Sequence, residues 1–288
     1  IAELSHRIQL GSYIFDDIYD LLDRQFDRLS DLEKEGMYWL AVSREPLRFD
    51  ELQEDVLSVS AKHRLIDTLA SLKHRDLIEK GATGFTQQPV VMEYVTDRLV
   101  KQICQEIIDG EVQLLMSHAL LKTQVADYVR ETQIRFILDP ICDRLRTLLK
   151  SQDTIQQKLN HILARLRQDF SACPGYGGGN VINLLRHLKI DLTGYDFSEL
   201  ALWHAYLPGA LLQQINFAYS DLSKASFTET FGNILSLALS ADGKLMAIGD
   251  SEGKLRIREA ATGKPLLTWK AHDNWIFATV FSPLKVGQ

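Results

Sequence analysis

Residues 190–227 read IDLTGYDFSELALWHAYLPGALLQQINFAYSDLSKASF. An apolar residue recurs at every fifth position: Leu192, Phe197, Leu202, Leu207, Leu212, Phe217, Leu222 and Phe227. Two places earlier runs a second set, Ile190, Tyr195, Leu200, Ala205, Ala210, Ile215, Ser220 and Ala225, apolar at all but Ser220. Asp191, Asp196, Asn216 and Asp221 stand just before the central residue. A period of five matches neither the helical repeat of about 3.6 nor the strand repeat of about 2. It fits a chain that turns a corner every five residues and aims both apolar sets at the axis. With four corners per turn, Phe197 is expected to stack on Phe217 and Leu202 to lie beside Leu222. Asp196, Asn216 and Asp221 are expected at solvated corners. A coil of this kind cannot bury its axis alone and needs neighbours at its ends. The helical segment before it and the strand-rich segment after it are the expected caps.

Upstream, residues 1–110 read as short-looped helices. Ile14, Ile18, Leu21, Leu22, Phe26 and Leu29 recur at three- and four-residue steps, one face of a helix. Ser30-Asp31 caps a second helix carrying Leu32, Met37, Leu40 and Val42. After an extended Leu47-Arg48-Phe49, Asp50 caps a helix from Glu51 to Leu57. Ser60 starts another, with Leu65, Ile66, Leu69 and Leu72 on one side. Asp76–Lys80 and Phe85–Gln88 flank Gly81-Ala82-Thr83-Gly84, a hairpin signal. Helices followed by a hairpin are the order of a winged helix. Pro89 then opens a helix with Val91, Val95, Leu99, Ile103 and Ile107 four apart.

Residues 111–189 are helical and more polar, with the apolar sets Leu114, Leu115, Leu120, Leu121 and Ile137, Ile141, Leu145, Leu148. Pro174-Gly175-Tyr176-Gly177-Gly178-Gly179-Asn180 interrupts them, and a helix from Val181 to Leu188 follows. Residues 231–288 change texture again. Ile234–Leu239, Lys244–Ile248, Lys254–Arg258 and Lys264–Thr268 read as four short strands parted by Gly-containing turns. Trp275–Phe281 then repeats the first strand. Four such strands and the opening of a next set describe one propeller blade and the start of another, in a ring that closes with about four to eight blades. The chain is thus expected to be a piece of a longer protein. Its non-Met first residue and early helical pattern point the same way.

The bulk numbers fit a soluble protein of several domains: 288 residues, 45% hydrophobic, 24% charged, formal net charge −6. A net negative field offers no long-range attraction to nucleic acid or anionic lipid. No run of about 18 apolar residues spans a membrane, and IAELSHRIQLGSYIF is not a signal peptide. Cys104, Cys142 and Cys173 are odd in number and far apart, which fits reduced thiols in the cytoplasm rather than a disulfide or zinc framework.

No complete catalytic site is legible, and neither a catalytic residue nor a metal ligand is assigned. Gly175–Asn180 precedes a helix, but Asn180, Val181 and Ile182 stand where a phosphate loop needs Lys and Ser/Thr. A turn with Asn180 as helix N-cap is the expected role. The helix after Ser60 carries Lys62, His63 and Arg64 at one end and Lys73, His74 and Arg75 at the other. Glu51, Glu54, Asp55, Asp67 and Asp76 dilute that charge, so nucleic acid is not the expected partner. His272 is expected in a structural hydrogen bond. Asp16-Asp17 and the Asp196, Asp221 pair belong to solvated surfaces.

The four textures in this order resemble the signal-transduction NTPases of the NB-ARC and NACHT type that end in WD repeats, abundant in cyanobacteria. The anchors are Asp27-Arg28-Leu29-Ser30-Asp31-Leu32-Glu33 with Met37-Tyr38-Trp39-Leu40-Ala41; Gln88-Pro89-Val90-Val91-Met92-Glu93-Tyr94; and Tyr176-Gly177-Gly178-Gly179-Asn180-Val181-Ile182-Asn183-Leu184-Leu185. The resemblance implies that ATP or ADP binds only in a domain upstream, over which the winged helix closes. It also implies that the repeat end senses a protein partner or ligand. Met92-Glu93-Tyr94 replaces the Met-His-Asp of many relatives, and a carboxylate there would repel a phosphate. Arg258-Glu259 stands where Trp-Asp is usual, and Ala271-His272 where Gly-His is, implying an incomplete hydrogen-bond set in the blade. The expected architecture is α+β and multidomain: a winged-helix-like regulatory domain (1–110), a helical linker domain (111–189), a right-handed pentapeptide β-helix (190–230) and a partial WD-type propeller blade (231–288). The expected function is a non-catalytic sensor and protein-interaction segment of a signal-transduction ATPase. The alternatives are a winged-helix nucleic-acid-binding regulator with a protein-binding tail and a gene fragment without function.

Overall fold

A computed structural model describes residues 18–171, 173–210, 212–227, 233–261 and 265–282. The readings at Ile14, Asp16-Asp17 and Lys264 lie outside the described residues. The chain forms two compact units, Ile1–Ser226 and Phe227–Gln288.

In the first unit α1 (18–27) leads into α2 (Asp31–Ser43). Ser30 and Glu33 close a reciprocal capping box: Ser30 N–H donates to the Glu33 carboxylate at 2.8 Å, and Glu33 N–H to Ser30 Oγ at 3.4 Å. The second half of α2 is apolar all round, and Met37 to Val42 are buried. α3 (Phe49–Asp55), α4 (Val59–His74) and α5 (Pro89–Asp109) pack about it. The starts of α3 and α4 lie one or two residues before those read from Asp50 and Ser60. Arg48 and Ser58 hold the N-cap positions, and Ser58 Oγ accepts from Ala61 N–H. β1 (Glu79–Lys80) and β2 (Phe85–Thr86) form an antiparallel hairpin, and Leu47 pairs with Phe85 through two backbone bonds of 2.8 and 2.9 Å. Gly84 is needed there, because a Cβ would press on the Leu47 carbonyl.

α6 (Gln113–Ser117), α7 (Asp127–Gln133), a π-helical turn (Ile134–Leu138), α8 (Asp139–Leu149), α9 (Gln152–Phe170) and α10 (Gly177–His187) continue the same core. The expectation for Asn180 is corrected. α10 starts at Gly177, Tyr176 takes the N-cap position, and Asn180 is a buried residue inside the helix. Glycine is a poor helix former by about 1 kcal/mol per residue, yet here the missing side chains allow closer packing than any other residue would.

The chain from Ile190 onward coils with twenty residues per turn: Asp196 pairs with Asn216, Ala201 with Asp221 and Tyr206 with Ser226, all parallel. Phe197 N–H donates to Asn216 O at 2.8 Å, Leu202 N–H to Asp221 O at 2.8 Å, and Leu207 N–H to Ser226 O at 2.7 Å. Phe197 and Phe217 stack with centroids 5.9 Å apart. At four of the corners the residue before the central one accepts from the amide two places on: Asp191 from Thr193, Asp196 from Ser198, Asn216 from Ala218 and Asp221 from Ser223. This local side-chain turn explains the Asp/Asn period. Positive φ follows the same rhythm at Gly194, Glu199, His204, Gly209, Gln214 and Tyr219. Phe197, Leu202 and Leu207 are buried, while Leu212, Phe217 and Leu222 are half-buried.

In the second unit β3 (Ile234–Leu239), β4 (Leu245–Asp250), β5 (Lys254–Glu259) and β6 (Pro265–Lys270) form an antiparallel meander in chain order. Asp250 is fully buried, paired with Arg256, and accepts the Glu252 and Lys254 amides at 2.9 Å each. The strand expected over Trp275–Phe281 is not formed. That segment meets the sheet through Ile276, whose N–H donates to Asp250 O at 3.1 Å, without a ladder.

Candidate functional site

The strongest concentration of buried polar chemistry lies where α10 meets the coil. Three polar side chains of α10, each three residues from the next, reach from the helix to neighbouring segments. Asn180 accepts from Leu120 N–H at 2.8 Å and donates to Leu115 O and His118 O. Asn183 donates to His204 O at 2.9 Å and accepts from Tyr206 N–H at 2.8 Å. Arg186 donates to the carbonyls of Tyr206 and Pro208. A Cβ on Gly178 would stand 2.6 Å from the Ala201 carbonyl oxygen, and one on Gly179 would overlap that of Trp203. The glycine run therefore brings helix and coil backbones together, and its amides face no open phosphate cradle.

Beside this seam Tyr176 is fully buried, and its hydroxyl donates to Asp55 O at 2.7 Å. Lys122 pairs with the Asp55 carboxylate and lies over the Trp39 ring. Thr123 N–H donates to His204 Nδ1 at 3.2 Å, and Thr123 Oγ1 to Lys224 O at 2.7 Å. Lys224 Nζ sits 4.3 Å from the Trp203 ring centroid, and Trp203 Nε1 donates to Asp221 at 2.6 Å. Burial pushes the His204 imidazole down to about 3, reinforced by the Lys122 and Lys224 charges. Burial raises Asp55, with Lys122 opposing. The ring is thus neutral, with its proton on Nε2 because Nδ1 accepts. Every group here fastens one segment to another.

A second feature is a cleft of about 770 Å³ between α2, α5 and α6, lined by Glu35, Tyr38, Gln102, Glu106, Asp109 and Glu111 among others. Burial raises the Glu35 and Glu106 carboxyls, and Glu106 also accepts from Leu114 N–H at 2.7 Å and Leu115 N–H at 3.1 Å. The basic residues His63, Arg64, Lys73, His74 and Arg75 are exposed and Lys62 is half-buried; Arg75 lies 3.7 Å from Glu33. Glu93 is exposed. His272 is exposed and donates its backbone N–H to Gly253 O. Cys104 and Cys142 are buried, both thiols pushed up to about 12 by desolvation, and Cys173 is exposed. Among the described residues no group of His, Cys, Asp or Glu could hold a metal ion, and no helix is long and apolar enough to cross a membrane. Asn183, Arg186, Tyr176 and His204 escaped the sequence reading. The signal available was the three-residue polar step 180, 183, 186 on an apolar helix.

The chain is 46% identical over 301 aligned residues to an uncharacterized WD repeat-containing protein of Nostoc sp., an alignment covering 93% of this chain and 24% of that protein. A second uncharacterized WD repeat-containing protein of Nostoc sp. is 33% identical over 185 residues, covering 64% of this chain and 11% of the relative. The chain therefore spans about a quarter or less of the length of the curated relatives it matches. No protein-family model matches it.

Proposed function

We propose that this chain is the regulatory and protein-interaction segment of a cytoplasmic signal-transduction ATPase of the NB-ARC or NACHT type. On this reading residues 1–110 are a winged-helix regulatory domain, 111–189 a helical linker, 190–230 a right-handed pentapeptide coil, and 231–288 a WD-type blade with the start of the next. The chain holds no catalytic site, and ATP or ADP belongs to a nucleotide-binding domain upstream. The observation that carries the reading is the apolar surface of the β3–β6 unit. Leu237, Leu239, Leu267, Trp269, Trp275 and Phe277 are each more than two-fifths exposed. Exposed apolar side chains on both edge strands, β3 and β6, mark surfaces made to be covered by protein. The similarity to WD repeat-containing proteins supports the same reading.

The test is ATP turnover by the longer protein that joins this chain to its nucleotide-binding domain. Removing residues 190–288 should change the turnover several-fold, while the present chain alone should give none. Unchanged turnover after the removal would end the regulatory reading.

A further inference from the structure

α4 carries two faces. Ala61, Leu65, Thr68, Leu69 and Leu72 are buried and hold it to the core. At about 100° per residue, Val59, Lys62, His63, Ile66, Ala70 and Lys73 share a second stripe turned away from that core. Val59 is 68% and Ile66 64% exposed. Lys62 is half-buried, and His63, Ala70 and Lys73 are exposed. The stripe itself holds no acid, and Asp67 stands beside it. Among the described residues Lys62 and Lys73 make no ion pair. A helix side that is apolar and cationic together fits a groove lined by hydrocarbon and carboxylates. A nucleic acid supplies the charge but meets the repulsion of a chain with formal net charge −6.

Such a groove lies on the same chain. The cleft of about 770 Å³ between α2, α5 and α6 is lined by the carboxylates of Asp31, Glu35, Glu106, Asp109 and Glu111 and by one lysine, Lys34. Three of the carboxylates are engaged: Glu106 by the α6 amides, Asp109 by Gln105 at 2.8 Å and Glu111 by Arg165 at 3.0 Å. Asp31 is exposed and Glu35 half-buried, and neither makes an ion pair among the described residues. Leu57 and Leu114, both half-buried, add hydrocarbon. Leu57 and Ser58 stand directly before α4, so the stripe adjoins the cleft. A helix cannot fold back into a cleft at its own start, so the two patches match only across two molecules. A two-fold axis between adjoining patches of opposite charge forms both contacts at once. We propose that α4 of one copy lies in the cleft of a second copy, and reciprocally. Lys62 and Lys73 meet Asp31 and Glu35, and Val59 and Ile66 meet Leu57 and Leu114. The contact stands whether or not the chain belongs to an ATPase.

The experiment is light scattering of the purified chain over a concentration series, with charge reversal on each face. One variant carries Lys62→Glu and Lys73→Glu, the other Asp31→Lys and Glu35→Lys. We expect the parent to reach the mass of two chains and each variant alone to stay at the mass of one. Their equimolar mixture should reach two again. In the mixture both reciprocal contacts join opposite charges, whereas within either variant both join like charges. The parent dimer should also weaken at least roughly tenfold between about 0.15 and 1 M salt, since the screening length falls from about 8 to 3 Å. Melting by circular dichroism checks each fold. Where a reversal melts below the parent, Lys62→Gln with Lys73→Gln, or Asp31→Asn with Glu35→Gln, takes its place and should weaken the dimer at least roughly tenfold. A parent that stays at one chain at every concentration would overturn the proposal. So would a dimer that survives these changes, as association through β3–β6 would, or a mixture of the reversed chains that stays at one chain.

Discussion

The imidazole of His204 lies parallel to the phenol ring of Tyr176, with centroids 5.8 Å apart and 3° between the planes. One ring belongs to the coil and the other to the N-terminal edge of α10. The pair is the aromatic face of the seam that Asn183 and Arg186 hold by hydrogen bonds. His204 also occupies a corner with φ 58°, so its position is set by backbone and ring together.

This pairing makes stability depend on pH. In the folded chain His204 is held down to about 3, and buried His118 to about 4, each against an ordinary value of 6.5. Between those values the unfolded chain takes up protons that the folded chain refuses. Stability contributed by the neutral rings is therefore full above about 6.5 and is lost as pH falls towards 4 for His118 and towards 3 for His204. The slope is about 1.4 kcal/mol per pH unit per histidine. Chemical denaturation at a series of pH values, compared between the parent and His204→Gln, should show a shallower acid loss in the variant. Parallel curves would mean that His204 is protonated in the fold. The comparison with the variant matters because burial raises Asp55, Glu35 and Glu106, which pull the other way.

Gly179→Ala should destabilise by roughly 1–3 kcal/mol or more, since its Cβ meets a backbone oxygen that cannot step aside. Gly81→Ala is the control. Its Cβ finds the nearest atom, Gly84 O, at 3.9 Å, and thermal melting should move little. Equal melting temperatures for the two variants would refute the close seam.

In the coil, Phe217→Ala removes the partner of Phe197 and should cost roughly 2–4 kcal/mol, while Gln213→Ala should cost under about 0.5 kcal/mol. Gln213 is exposed and serves the coil through its carbonyl, which accepts from Gly194 N–H at 3.2 Å and survives the change. Similar urea midpoints for both variants would mean that the five-residue period carries no packing.

The chain alone should neither hydrolyse ATP nor bind duplex DNA in a salt-sensitive way. The glycine run is filled by coil backbone, and the cations of α4 share the surface with acidic neighbours. Labelled-ATP turnover above the no-protein control, or a low-salt gel shift abolished by replacing Lys62, Arg64, Lys73 and Arg75 with Ala, would contradict these expectations.

The coil was legible because its rule is local: two inward positions in every five residues, with a turn-making carboxylate or amide at Asp191, Asp196, Asn216 and Asp221. The cap at Ser30 and the helix start at Pro89 were legible for the same reason. The seam was hidden because its partners are remote in the chain. Tyr176 and Asp55 are 121 residues apart, and Thr123 and Lys224 are 101 apart. Glycines 177 to 179 misled because a flexible turn and a tightly packed helix start share the same letters, and only the neighbour at van der Waals distance tells them apart.

The parallel pairing at a spacing of twenty, with a corner every five residues, makes the coil an indexed spindle. Inserting five residues would swing the outgoing chain by a quarter turn. Inserting twenty would lift it by one strand spacing, about 4.8 Å, and leave its bearing unchanged. Length changes between relatives should thus come in fives when direction is being retuned and in twenties when only reach is.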